Sequence, residues 1–420
     1  MKHLLTKHNY LFIGLVLFIF NFWLSNAVHT DTYVTTITHS TDSLGYYQWL
    51  PNLFIDGSFL PSRYIHTLEN GNPLSVFSFG IAILMAPFFL LGHLSALLFG
   101  YQANGYSEPY AAAVIGAASF YLSFSLVLLI RLIEKRFNNI RVALLSIFII
   151  YLGTNLFYYS AFEMGMSHVF NFFIFVVLIY AHVNYRTTNF SRYVLLVGLI
   201  SGLILVVKPY NAFGLLFLLP TSAKEWKTLW KNCLNHKLAV VGGLAILMSF
   251  IALQVSYWHS VSGKYLLFSY GNLGEGFNWE NPELYNVLFS VQNGWFIYTP
   301  LILFAFAGIG MQLKRKQLES AKILAIILLA YYVFASWWAW WFGAAFGHRA
   351  FVEFYSFLTL PLAYFINSIF QQKKWIKYSV AAIVILLVYI NIELSYIYQA
   401  PWDGPYWNWD QLWNRVRLIV

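Results

Sequence analysis

Few side chains in this sequence have the type and setting to do chemistry. Asp42 heads the stretch Asp42-Ser43-Leu44-Gly45-Tyr46-Tyr47, shortly after the first apolar run. A carboxylate there is suited to act as general base towards a hydroxyl. Ser40, Thr41 and Asp42 are equally N-cap types ahead of an aromatic, apolar run, so a helix cap is the competing reading. Glu163 and His168 frame Met164-Gly165-Met166-Ser167 at a helix junction. Both are site candidates; for Ser167 and His168 the competing reading is a cap or a hydrogen bond to the backbone. Lys208 precedes Pro209-Tyr210-Asn211. It is either a snorkelling lysine or a compact cation for a phosphate. His348-Arg349 is followed by Glu353. Arg349 can grip phosphate oxygens bidentately, or pair with Glu353 at i,i+4 and orient two helices. Tyr46, Tyr47 and Arg63 are further binding candidates. His66, Glu69, Lys264, Glu275, Glu280 and Glu283 are ambiguous. Trp337-Trp338-Ala339-Trp340-Trp341 reads first as an interface belt, and second as a stacking platform.

The elements that position these residues follow from composition. The 420 residues are 60% hydrophobic and only 10% charged, where a soluble domain carries about a quarter charged. Lipid is the solvent such a chain requires. We therefore expect an all-α, polytopic transmembrane helical bundle of about eleven spans. They fall near 10–28, 110–131, 143–160, 168–185, 193–207, 210–222, 238–258, 295–311, 321–341, 351–370 and 378–398. Residues 1–398 form one membrane domain and 399–420 a short outer tail. The net charge of +9 is no nucleic-acid signal, because Lys and Arg cluster in short connectors between apolar runs. Placing 131–141, 186–192, 224–237, 314–322 and 373–377 inside obeys the positive-inside rule. The expected protein is thus a multi-pass inner (plasma) membrane protein with a cytoplasmic N-terminus and a long first outer loop, 29–109.

Two segments need a decision. The run 76–100 is long enough to cross, but crossing would move Arg131, Lys135, Arg136 and Arg141 outside. It is expected to lie in or re-enter the outer interface, interrupted by Pro87, Gly92 and His93. In 193–222, a lysine at mid-bilayer would cost several kcal/mol. Two short helices meeting at an outer Lys208-Pro209 turn avoid that. Ser25-Asn26-Ala27 fits a signal cleavage site, but a retained first helix is the plainer reading. The single cysteine, Cys233, excludes an internal disulfide. No Walker, nucleotide-loop, zinc or nucleophile-elbow pattern is present. No cofactor is expected; Asp42, Glu163 and Glu353 are the carboxylates available to a divalent metal.

In layout the chain resembles the GT-C superfamily of integral membrane glycosyltransferases, which includes protein O-mannosyltransferases and the aminoarabinose transferase for lipid A. Asp42-Ser43-Leu44-Gly45-Tyr46-Tyr47 stands where that class carries its catalytic Asp. The run 76–100 stands for its interfacial segment. Val207-Lys208-Pro209-Tyr210-Asn211 is similar to its Arg-Pro turn, and 347–361 to its late Arg-aromatic…Pro helix start. Met166-Ser167-His168 is similar to a serine-histidine pair of bacterial members. The departures are Asp42-Ser43 in place of Asp-Glu, Asn72-Pro73-Leu74 without the phosphate-binding lysine, and no soluble C-terminal domain. The resemblance implies transfer of a sugar from a polyprenyl-phosphate donor to an acceptor hydroxyl, with inversion, on the extracytoplasmic side. Asp42 would be the base; Arg349, Lys208 and His348 would hold the donor phosphate. The implied partners are membrane lipid, that donor and an unidentified hydroxyl acceptor. A lipid-linked sugar flippase or secondary transporter, and a non-catalytic scaffold, are the rival classes.

Overall fold

The computed structural model describes residues 6–29, 34, 41–398, 401–404 and 406–419, with the side chains of Thr41 and Asn272 left aside. In chain order the α-helices are α1 (Lys7–Ala27), α2 (Thr41–Tyr47), α3 (Trp49–Phe54), α4 (Gly80–Phe99), α5 (Glu108–Phe137), α6 (Ile140–Leu152), α7 (Leu156–Ala161), α8 (Ser167–Tyr185) and α9 (Phe190–Val207). Then come α10 (Ala223–Asn235), α11 (Lys237–Ser262), α12 (Leu284–Phe289), α13 (Trp295–Tyr298), α14 (Leu303–Lys314), α15 (Leu318–Ser336), α16 (Tyr355–Ile369), α17 (Lys374–Ile397) and α18 (Trp409–Arg417). The strands β1 (His66–Thr67) and β2 (Pro73–Leu74) form one small antiparallel hairpin. Among the described residues nine helices are long and apolar enough to cross a membrane. The chain is a helical membrane protein.

Several expected helices end or continue differently. Residues 80–99 form one unbroken helix. Gly92 is a packing position, since a Cβ there would lie 2.9 Å from the Pro109 carbonyl. His93 Nδ1 is 2.6 Å from the Tyr110 hydroxyl, and Tyr121 donates to the Leu84 carbonyl in the turn that Pro87 disturbs. These partners lie in the first half of α5, so α4 runs beside that half. The expected short helix at 210–222 is a 3₁₀ helix, Pro209–Leu218. At about 2 Å per residue it falls well short of a bilayer core of about 30 Å. The expected span 143–160 breaks between α6 and α7, where Asn391 Nδ2 donates to the Leu152 and Thr154 carbonyls at 2.8 and 3.0 Å. A neighbouring amide thereby replaces the lost helical partners. The span at 295–311 divides into α13, a 3₁₀ turn Pro300–Ile302 and α14. Helix α15 stops at Ser336, before the tryptophan run.

The chain divides into two compact units. The Asp42 unit comprises Leu15–Phe124 and Ser160–Gly276. Its tightest seam joins α9 to α11, where a Cβ on Gly198 would lie 2.2 Å from the Gly243 carbonyl. Small residues permit that approach without any hydrophobic drive between helices in lipid. The first loop is tied to the end of α11. Asn70 and Asn72 each donate to the Val261 carbonyl at 2.9 Å, and the Ser75 amide donates to the Tyr257 hydroxyl at 2.8 Å.

The Arg349 unit comprises Met1–Gly14, Ser125–Tyr159 and Phe277–Val420. An aromatic core joins its separate segments. Trp295 stacks on Phe351 at 3.7 Å and donates to the Tyr355 hydroxyl, which donates to Asn155 Oδ1. Asn155 Nδ2 in turn donates to the Phe346 carbonyl at 3.1 Å. The tail is part of this unit. Trp402 and Trp407 are buried and stacked, and Trp407 donates to the Val291 carbonyl at 3.1 Å.

Candidate functional site

In the Asp42 unit, three segments carrying sequence candidates adjoin in series. Asp42 lies in the first turn of α2, half-exposed, where the helix N-terminus favours a negative charge. The next residue, Ser43, is buried under the turn that holds Glu163. A Cβ on Gly165 would lie 2.6 Å from Ser43 Oγ, so only glycine admits this approach. The Met166 amide donates to the Glu163 carbonyl, closing that turn, and His168 follows as a nearly buried second residue of α8. On the other side of α2, Gly45 meets the Phe77 ring; a Cβ there would lie 2.1 Å from it. The adjacent Ser78 donates to the Val207 carbonyl at 3.2 Å, and Gly80 abuts Val207. Lys208 caps α9 at that point. Its backbone is extended, the conformation that a following proline imposes, so Pro209 is the local cause of the helix end. The half-exposed Lys208 side chain places Nζ 5.8 Å from the Tyr210 ring centroid.

The tyrosines and Arg63 serve the packing of the first loop. Tyr46 is nearly buried and edge-on to Phe77 at 4.9 Å. Tyr47 is buried and donates to the Gly105 carbonyl; burial holds its hydroxyl well above the usual range. Arg63 lies towards the other end of α2. Gln48, which follows α2, accepts from the Arg63 and Tyr64 amides and donates to the Tyr64 carbonyl. The Arg63 guanidinium covers the Tyr106 ring at 3.7 Å, and burial pushes the Tyr106 hydroxyl up to about 12. Gln48 had no reading from sequence alone, although a fully buried amide signals that a partner is needed.

Sequence reasoning also missed three buried polar residues beside this turn. Ser167 Oγ and both amide atoms of Asn171 and Asn211 find no hydrogen-bond partner among the described residues. A Cβ on Gly214 would lie 2.5 Å from the Phe175 ring, so the 3₁₀ helix runs against α8 there. One turn back along each helix lie Asn211 and Asn171. Each unpaired buried group costs about 1–3 kcal/mol, and in native proteins such groups mark strain, function or a bound polar partner.

In the Arg349 unit, the expected cation pair separates by burial. His348 is fully buried, with Phe334, Phe342 and Phe351 ring centroids at 5.8, 5.2 and 4.8 Å. Burial pushes its pKa down to about 3, so the imidazole is neutral and the expected phosphate-binding cation is corrected to an uncharged core residue. Arg349 is half-exposed and Glu353 is buried. Both lie in a 3₁₀ helix, Arg349–Phe354, with three residues per turn. The expected i,i+4 alignment of an α-helix is therefore absent, and Val352 follows Arg349 on the same edge. Gly347 has φ +64° and a Cβ on it would lie 2.9 Å from Tyr298, so this turn requires glycine.

No group of three or more His, Cys, Asp or Glu side chains that could hold a metal ion exists among the described residues. No family model, curated protein or solved structure matches the chain.

Proposed function

We propose that this protein is an integral membrane glycosyltransferase of the GT-C kind, with its site on the extracytoplasmic face. The observation that carries the reading is the series Gly165–Ser43, Gly45–Phe77, Ser78–Val207. The segments that carry Asp42, Glu163 with His168, and Lys208 adjoin in that order within one unit, and this supports the reading. In this reading the Asp42 carboxylate takes the proton of an acceptor hydroxyl. The hydroxyl oxygen attacks the anomeric carbon of a polyprenyl-phosphate sugar, and the bond from that carbon to the phosphate oxygen breaks. The lipid phosphate leaves with the electron pair, and the anomeric centre inverts. Lys208 takes the charge that develops on the phosphate. The orphaned Asn171 and Asn211 amides support a polar ligand near this turn.

General base action of this kind supplies roughly 10²–10⁴-fold, so Asp42→Asn should lower transfer by that factor with an unchanged melting temperature. The measurement is mass spectrometry of envelope glycans and glycoproteins in a deletion strain complemented with either form. Wild-type transfer by Asp42→Asn removes Asp42 as base. The discontinuous helices at 152–156, 207–209 and 298–303 favour the flippase or transporter reading. Movement of lipid-linked sugar by the purified protein in liposomes, with no glycosidic bond formed, would select it.

A further inference from the structure

We infer that α10 is a surface-lying helix that binds the anionic phospholipid headgroups of the leaflet it borders. The helix begins with a capping box: the Ser222 hydroxyl accepts from the Glu225 amide, and Glu225 accepts from the Thr221 amide and hydroxyl. It follows the 3₁₀ helix and leads directly into α11, so chain continuity holds it at a membrane surface. Arg186 pairs with Glu225 at 3.2 Å, and Ser191 lies 3.0 Å from His236. The helix is thereby fastened beside the basic 186–192 connector.

Around α10 the side chains sort into adjoining sectors. Glu225, Leu229, Asn232 and Cys233 are half-buried, at the spacing of one helix face, and turn towards the protein. Trp226, Trp230 and Leu234, spaced i, i+4 and i+8, are 52%, 69% and 49% exposed. These are the values of an apolar stripe that the protein itself leaves uncovered. Lys224, Lys227 and Lys231, spaced i, i+3 and i+7, form the adjoining exposed edge. Asn235 and Thr228 lie beyond them. A helix whose tryptophans border lysines in this order suits the boundary of acyl chains and phosphates. Charge selects the occupant. Glu225 is the sole acidic residue between 164 and 274, and Arg186 and Thr221 already satisfy it, so the edge is uniformly cationic. A neutral bilayer offers the lysine edge no counter-charge, and the short apolar stripe alone does not seat the helix; an anionic bilayer engages both sectors and draws the stripe in.

The full chain tests this in lipid nanodiscs. In a Cys233→Ser background, nitroxide labels at Leu234→Cys and Asn235→Cys report depth through accessibility to oxygen and to a water-soluble nickel chelate. Replacing a third of the phosphatidylcholine by phosphatidylglycerol should turn the 234 label from nickel-accessible to oxygen-accessible, reversibly with salt. The 235 label should stay in water. Each lysine near an anionic surface favours docking by about fivefold, so each Lys→Gln should weaken it by that factor and the triple change should abolish it. Melting curves of the Gln variants, all at exposed sites, check the fold. The inference fails if the 234 label is equally deep in neutral and anionic discs, or if the triple variant keeps the shift. It also fails if the label is closed to both reagents, which means a protein partner covers the helix. Soluble glycerophosphate producing the same shift in neutral discs would likewise overturn it.

Discussion

His348 and Arg349 are neighbours in sequence, yet burial treats them oppositely. A histidine held neutral in the fold and charged once unfolded makes stability depend on pH. Its folded pKa is about 3 against an ordinary 6.5. Its contribution is therefore complete above about pH 6.5 and is lost progressively as pH falls towards 3. We expect the melting temperature of the purified protein to fall across that window, and the fall to be smaller in His348→Phe. Equal pH profiles would show that the imidazole is not neutral in the fold. The orphaned amides give a second prediction. Asn171→Leu and Asn211→Leu exchange an unpaired buried group for an apolar one of similar size, so each should stabilise by about 1 kcal/mol. If these amides serve the site, the same variants should lose transfer. Stabilisation with full transfer would make them structural defects without a role. Neither prediction was open to a reader of the sequence. His348 beside Arg349 looks cationic until Phe334, Phe342 and Phe351 close around it. Asn171 and Asn211 look like ordinary polar interruptions until the 3₁₀ helix lies against α8.

Helices themselves were legible, because a long apolar run has few other ways to satisfy its backbone in lipid. Their breaks were legible only where the cause is local. Lys208-Pro209 ends α9 through the steric demand of proline on the residue before it, and the sequence states this openly. The gap between α6 and α7 has no proline; it persists because Asn391, distant in sequence, supplies the missing donor. Pro87 misled in the other direction, since α5 supplies partners that let α4 continue past it. Glycines separate into the same two classes. At the α9–α11 seam, Gly198→Leu must displace the Gly243 backbone, and overpacking of this kind costs about 1–3 kcal/mol or more. Gly310 in α14 has nothing within 4 Å of its Cβ position, so Gly310→Ala should stabilise by up to about 1 kcal/mol. Thermal melting of the two variants should move in opposite directions. A shared direction would contradict the packing at the seam.

Across the whole molecule, the C-terminal tail proves to be more than the short appendage its length suggested. Phe342 and Ala344 hold left-handed backbone, φ +47° and +53°, in the turn that leads to Gly347 and Arg349. Such residues cost about 1–3 kcal/mol each and persist only when surrounding structure holds them. Among the bonds that hold this turn, Asn293 Nδ2 donates to the Trp341 carbonyl, and the Asp403 carboxylate accepts from the Ala344 amide at 2.8 Å. A hydrogen bond to a charged group is worth about 1.5–3 kcal/mol, comparable to the strain it opposes. Removing it should therefore release the turn while leaving the stacked Trp402 and Trp407 in place. We expect Asp403→Ala to raise hydrogen exchange across 342–349 at least tenfold, with exchange in α16 unchanged. Protection that stays at the wild-type level would show that the neighbouring aromatic core alone holds the turn. The tail would then act on stability only, through its tryptophans.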